Sequence, residues 1–428
     1  MQHEQNWIAL AEILGPRSPL LKPLLKAFAS PEAIFSADEA ALREAVPDMG
    51  VGTLKSILGK RTAQTAHTIV LWCHQNGVRI LPFDHAEYPT VLRELDEPPA
   101  LLYCRGRLPD LLTRACVGIV GPRRTDAYGE GVTYKIAFEL AAAGAVIVSG
   151  LAEGVDGIAT AAALLAGATP IAVLGCGIDV TYPRHHTKLL AECVERGAVI
   201  TEYAPGTPPN GYNFPIRNRL ISALSDAVLV TQAGEHSGAL ITARYAIVQG
   251  RPLYVVPGNV DSPLCAGSNR LLQSGAYPVL DARDLLMPLL PRYHATLSEK
   301  NFAEAAQFSA LDVQKLHKLG LRLCTSDAAA PEQEGSTPKA KKEKKEKRGK
   351  KKKAEPSSKE AGEELSAPDL SSLTPRQREL YAMLPQGPFT ADALTAKGVP
   401  ISEAASTLTL MEIYGLVASR PGGMFELK

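Results

Sequence analysis

Short apolar runs, each closed by glycine or a polar turn and followed by a stretch of helical spacing, recur along the middle of this 428-residue chain. Residues 116–120, 145–148, 170–174, 198–200, 227–230 and 253–256 are almost continuously apolar. Between them the spacing predicts helices over 131–143, 155–166 and 239–248. Strands apolar on both faces that alternate with helices specify a mostly parallel sheet covered on each side. The expected fold class is α/β and doubly wound, with its core over residues 81–290.

The flanks read differently. Trp7, Ile8, Leu10 and Ile13, then Leu24, Leu25 and Phe28, recur at helical spacing, so residues 1–80 are expected to form a small helical domain. Within it, Pro47-Asp-Met-Gly-Val-Gly52 ahead of Thr53 is SAM-like or helix-hairpin-helix-like. In the hairpin the glycines bring backbone amides to a phosphate at a helix start, with Lys55, Lys60 and Arg61 close by. A helical domain serving protein contacts fits the same pattern equally well. A helical extension follows over 291–327, then a tether over 328–372 too poor in apolar residues to offset ordering. Thr374-Pro375 opens a last domain, 373–428, with an N-cap and a first-turn proline. Three helical patterns (375–384, 390–396, 402–414) precede a hairpin over 415–427, the order of a winged helix.

Charge sharpens the division. The formal net charge of +1 conceals eleven Lys/Arg against two Glu between Lys339 and Lys353, which leaves −8 on the remainder. The seven cysteines are scattered, without a Cys-x-x-Cys pair, and read as packed thiols, Cys176 in its Gly-Cys-Gly turn included. No apolar run approaches the roughly 20 residues of a membrane span. The first residues lack a basic stretch followed by an apolar one, so a cytoplasmic location without membrane partners is expected.

In an open α/β sheet, ligands bind beyond the carboxyl ends of the strands. Those ends carry Gly121-Pro-Arg123-Arg124, Ser149-Gly150, Gly175-Cys-Gly177, Ser237-Gly238 with Thr242, and Pro257-Gly-Asn259. Any one of these glycines could simply close a tight turn. Together, bare amides and helix N-termini suit phosphates. No Gly-x-Gly-x-x-Gly follows the first strand and no acid ends the second, so this Rossmann-like sheet is expected to hold no nicotinamide or other cofactor. Asn213-Phe214-Pro-Ile-Arg217-Asn218-Arg219 starts a helix with two cations set against its dipole, which calls for an anion nearby. Phe214 could stack a base or staple the helix start. Asp156, Asp179, Glu202 and His236 read as structural caps, since no pair has the spacing of a nucleophile with its base.

At these residues the chain resembles the DNA-processing protein A family (DprA, or Smf). The resemblance rests on Tyr88-Pro, Pro98-Pro, Ile119-Val-Gly, Ser149-Gly-Leu-Ala, Gly175-Cys-Gly-Ile-Asp179, Phe214-Pro-Ile-Arg-Asn-Arg219, Ser237-Gly-Ala-Leu-Ile-Thr242 and Val256-Pro-Gly258. It implies a non-enzymatic factor of natural transformation and recombination that shields incoming single-stranded DNA, assists loading of RecA recombinase and dimerises through its Rossmann-like domain. It also implies that Arg123, Phe214, Arg217, Asn218 and Arg219 bind the strand, with Ser149, Gly150, Ser237 and Gly238 at the pocket edge. The chain departs from the family at Glu153 (usually Arg), Thr160 (usually His), Gln232 (usually Glu) and Pro122 (usually Ser or Thr). The alternative is a nucleotide or nucleoside-phosphate hydrolase of the lysine-decarboxylase-like group, whose Pro-Gly-Gly-x-Gly-Thr-x-x-Glu signature is missing from 232–242.

Residues 401–414, where a winged helix would present its reading helix, contain no Arg, Lys, Asn or Gln, and the five basic and five acidic residues of 374–428 cancel. This module is therefore expected to bind protein or its own chain. In a gel-shift assay a 365–428 fragment should leave duplex DNA unretarded, and tight retardation would reverse the assignment.

Overall fold

The computed structural model describes residues 1–59, 63–324 and, in the C-terminal part, 375–385, 387, 389–390, 392–395, 397, 399, 407–408, 411, 416–420 and 424–427. The chain divides into two compact units, Met1–Glu332 and Gln333–Lys428. In the first, nine strands form one sheet: β1 (Arg79–Pro82), β2 (Leu101–Gly106), β3 (Cys116–Val120), β4 (Val146–Ser149), β5 (Ile171–Val173), β6 (Ala198–Thr201), β7 (Ala227–Val230), β8 (Leu253–Val255) and β9 (Tyr277–Pro278). Their order is β1-β2-β6-β5-β4-β3-β7-β8-β9. From β6 to β9 all pairings are parallel, whereas β2 pairs antiparallel with both β6 and β1.

The six apolar runs form β3 to β8, and alternation along them feeds two cores. Val117, Ile119, Ile147, Ala172, Val199 and Leu229 face one side, and Val120, Val146, Val148, Val173, Val228 and Val230 face the other, as a period of two requires. The first face is covered by helices Ala127–Ala142 and Val155–Leu165, the second by Asn213–Ala223 and Ala239–Val248. Asp126 starts the first of these helices by accepting from the Gly129 amide at 2.8 Å. β1, β2 and β9 were not foreseen, being an antiparallel edge pair and a two-residue edge strand.

The N-terminal helices share the first core: Trp7, Leu10, Leu24 and Ile57 belong to the same cluster as Tyr103 and Ile119. The hydrophobic core therefore runs unbroken across residue 80. In the hairpin-like segment, a Cβ at Gly50 or Gly52 would meet nothing within 4 Å, so packing does not demand these glycines. Lys60 and Arg61 lie outside the described residues. The helical extension appears as Arg283–Tyr293, Glu299–Ala305 and Val313–Lys318. Two buried carboxylates of helix Ala127–Ala142 hold it: Glu139 accepts from the Ser309 hydroxyl at 2.7 Å and Glu130 from the Cys324 amide at 2.6 Å.

The second unit contains helices Pro375–Ala382 and Asp392–Thr395 and an antiparallel pair, β10 (Val417–Arg420) and β11 (Met424–Leu427), around Leu380, Leu394, Phe389, Leu408, Met411 and Val417. Of the expected helix 402–414 only 407, 408 and 411 are described, and the linker 328–372 with its lysines lies outside the described residues. Among the described residues no helix is long and apolar enough to cross a membrane.

Candidate nucleic-acid interface

β3 and β7 are neighbours, yet the chain leaves β3 toward β4 on one side and returns to β7 on the other. This is the topological switch point, where the loops of an α/β sheet part and open a crevice. A cavity of about 510 Å³ occupies it. Gly121 and Arg123 line it from the β3 end, Asp156 from the β4 end, and Ser237, Gly238 and Thr242 from the start of helix Ala239–Val248.

Helix Asn213–Ala223 supplies the fourth wall, and its periodicity decides which side chains take part. Phe214, Arg217 and Asn218 stand at i, i+3 and i+4, hence on one face, and all three line the cavity. The Phe214 ring tilts against Tyr182 at 5.3 Å and lies over bare backbone, since a Cβ at Gly175 would approach its Cδ1 to 2.9 Å. The Arg123 guanidinium sits 4.9 Å from the ring centroid and that of Arg217 5.8 Å, within cation–π range. Arg123 is exposed and Arg217 is 2% exposed. Arg217 donates through Nη1 to the carbonyls of Gly150, at 2.8 Å, and Val173, while its Nε has no partner. Burial pushes the Arg217 value below the usual guanidinium range, and Asp156 opposes that shift. Burial pushes the Asp156 carboxyl upward against the pull of Arg217.

Arg219 requires a correction. Two residues beyond Arg217 it points about 200° around the helix, away from the cavity, and donates through Nη2 to Glu202 Oε2 at 2.6 Å, with the two side chains 4% and 3% exposed respectively. Sharing a helical turn with Arg217 does not give it the same face. Glu202 is correspondingly the partner of a buried cation; burial raises its carboxyl and Arg219 resists the shift. Ser149 is corrected too: fully buried, it donates to the Ile119 carbonyl at 2.6 Å and does not line the cavity. Gly150 contributes its carbonyl to Arg217, and Arg124 is exposed outside the lining. Asn218 Nδ2 donates to the Gly238 carbonyl at 3.4 Å, and Ser237 Oγ accepts from the Ala239 amide at 3.3 Å.

Sequence reasoning missed Tyr182 as a partner of Phe214 and treated Asp156 and His236, both of which line the cavity, as mere caps. The available signal for Asp156 was its position in a helix's first turn directly beyond a strand end. A larger cavity, about 710 Å³, lies toward the amino ends of the strands between the β2–β3 loop and Thr169. Its three arginines (Arg107, Arg114, Arg196) are matched by Glu87, Asp110 and Glu195, so it offers a polyanion no net field.

The family model described as DNA recombination-mediator protein A matches residues 79–289, and the DprA winged helix domain matches 364–423. Protein Smf of Synechocystis is 31% identical over 98% of both chains. The chain belongs to the DprA/Smf family. DNA processing protein DprA of Bacillus subtilis is 38% identical over 51% of this chain and 73% of its own. The X-ray structure of DprA from Streptococcus pneumoniae superposes with a TM-score of 0.53 and 30% identity, covering 66% of this chain and 97% of that one. The sheet described above is thus the DprA/Smf core, and the second unit is its winged helix domain.

The buried ion pair makes a stability prediction. Arg219→Ala should cost about 3–5 kcal/mol by leaving Glu202 unpaired. Arg219→Met combined with Glu202→Gln should recover most of the loss in urea denaturation. An unaltered midpoint for Arg219→Ala would show that the pair does not hold the fold.

Proposed function

We propose that this DprA/Smf family member binds single-stranded DNA in the switch-point cavity and serves recombination, including natural transformation, as a binding protein and not as an enzyme. The observation that carries this reading is the grouping of Phe214, Arg217 and Arg123: one aromatic ring flanked by two cations at a crevice lined with glycine and helix starts. A base stacks on a ring of any sequence context, and guanidiniums take the phosphates on either side. Duplex bases have no free face to offer such a ring. The names of the relatives, which refer to DNA processing and recombination mediation, support the same substrate class.

The groups that a hydrolase would use are otherwise committed. Burial pushes the Cys176 thiol up to about 11, which keeps it neutral, and the Ser149 hydroxyl is bound to a strand carbonyl. Gln232, in the loop where the hydrolase signature would sit, accepts from Thr125 Oγ1 at 2.7 Å and donates to Asp126 Oδ1 at 3.2 Å.

Titration of fluorescent oligo-dT and of its duplex counterpart against the full chain tests the reading. Single strands should bind tighter, with log K falling by about 0.7 per phosphate neutralised for each unit of log salt. Phe214→Ala and Arg123→Ala should each weaken binding about ten-fold, within the range of one stacked base. Deletion of 339–353 should weaken it less, and the opposite ranking would remove the cavity from the function.

We also propose that the chain dimerises through its Rossmann-like unit and delivers bound strands to RecA recombinase. Strand β9 closes one edge of the sheet with Tyr277 exposed on it and Leu280 exposed just beyond it, an edge that suits a second copy. Sedimentation should give a dimer that Tyr277→Glu dissociates, and the wild-type chain should shorten the lag of RecA filament growth; a monomer without effect on that lag would end both proposals.

A further inference from the structure

The binding reading leaves one buried group of the cavity without a role. Asp156 is the second residue of helix Val155–Leu165 and only 8% exposed, yet it lines the same space as Phe214, Arg217 and Arg123. It stands with Arg217 over the bare face of Gly150: a Cβ at that position would collide with both Asp156 Oδ2 and Arg217 Nη2. The two are nevertheless not consumed by each other, because Arg217 gives its Nη1 bonds to the carbonyls of Gly150 and Val173. The Asp156 carboxyl, which also takes bonds from the Ala152 and Gly150 backbone, borders the space into which the arginines would draw a phosphate.

Resting on the cavity as the single-strand site, we propose that Asp156 sets its affinity: the carboxylate opposes the incoming phosphate, and binding of the strand draws a proton onto it. Burial already raises the Asp156 carboxyl above the ordinary range, and a phosphate beside it raises it further. Between those two values the complex holds more protons than the free chain, so affinity rises as pH falls and levels off below the free chain's value. The counterweight is a strand held firmly enough to be protected and loosely enough to be released.

Other charged groups face Asp156 from each neighbouring element. Arg217 comes from helix Asn213–Ala223 and Arg123 from the loop after β3. Glu153, in the turn leading into the helix of Asp156, lies 3.3 Å from His185 Nε2. The His186 ring packs against Gly157, and burial lowers its value, favouring the neutral form. The Cys176 thiol follows β5 and is held neutral. His236 lines the cavity from the loop after β7 and is exposed. Its imidazole borders the same space and needs its own control.

The test is anisotropy of labelled oligo-dT with the full chain at constant ionic strength, stepped down from about pH 8 into the carboxylate range. Wild-type affinity should rise toward the acid end. Asp156→Asn should bind about ten-fold tighter at the alkaline end, the effect of one charge in a partly hydrated site, and lose the pH dependence that His236→Asn retains. Calorimetry of the His236→Asn chain in two buffers of unlike ionisation enthalpy should show proton uptake, a readout that stands even if the Asp156 variant fails to fold. Weaker binding by a folded Asp156→Asn, or no uptake, overturns the proposal. If Phe214→Ala and Arg123→Ala leave binding intact, the cavity reading itself has failed; if they weaken it while Asp156→Asn matches wild type, only the role of Asp156 falls.

Discussion

One buried guanidinium organises the carboxyl rim of this sheet. Arg217 reaches from its helix to the carbonyls of Gly150 and Val173, just beyond β4 and at the end of β5, and so sets the helix against the strands. A buried cation needs acceptors or it loses its charge, and the exposed carbonyl ends of parallel strands supply them. Once that register is set, the pitch of the helix places Phe214 and Asn218 toward the crevice and sends Arg219 to the far side. The positive charge of the site is thus a property of how helix and sheet are joined, not an ornament added to a finished scaffold.

The sheet was legible because β3 to β8 are buried on both faces and therefore written as unbroken apolar runs. Helix Ala239–Val248 was legible to the residue for a related reason: Gly238 at its start and small residues along its buried side. What could not be read was direction. Arg217 and Arg219 look alike in a string of letters, and only helical phase separates a cavity cation from half of a buried ion pair. Ser149 sits at a strand end like a ligand-binding serine, but its hydroxyl turns back to the Ile119 carbonyl. Asp156 escaped because a carboxylate in a first helical turn has a sufficient local reason to be there.

Three of the four positions that depart from the family pattern acquire local explanations. Glu153 has the His185 imidazole beside it, with Nε2 at 3.3 Å from its carboxylate. Thr160, where a histidine is usual, turns its hydroxyl to the Asp156 carbonyl oxygen at 2.9 Å, within its own helix. Gln232 bridges Thr125 and Asp126, joining the β7 end to the start of helix Ala127–Ala142. Glu153 and Gln232 thus belong to different contacts, and no exchange of charge between them is needed to account for either.

Gly175 beneath Phe214 has a mechanical consequence. A ring resting on main chain, with Tyr182 along one side, has its tilt dictated by the backbone of the turn after β5 and little freedom to wag. An arriving base then finds a shelf that is already still, and the entropy given up on stacking is mostly the guest's own. Even a methyl group at residue 175 would unseat that shelf without touching a single charge.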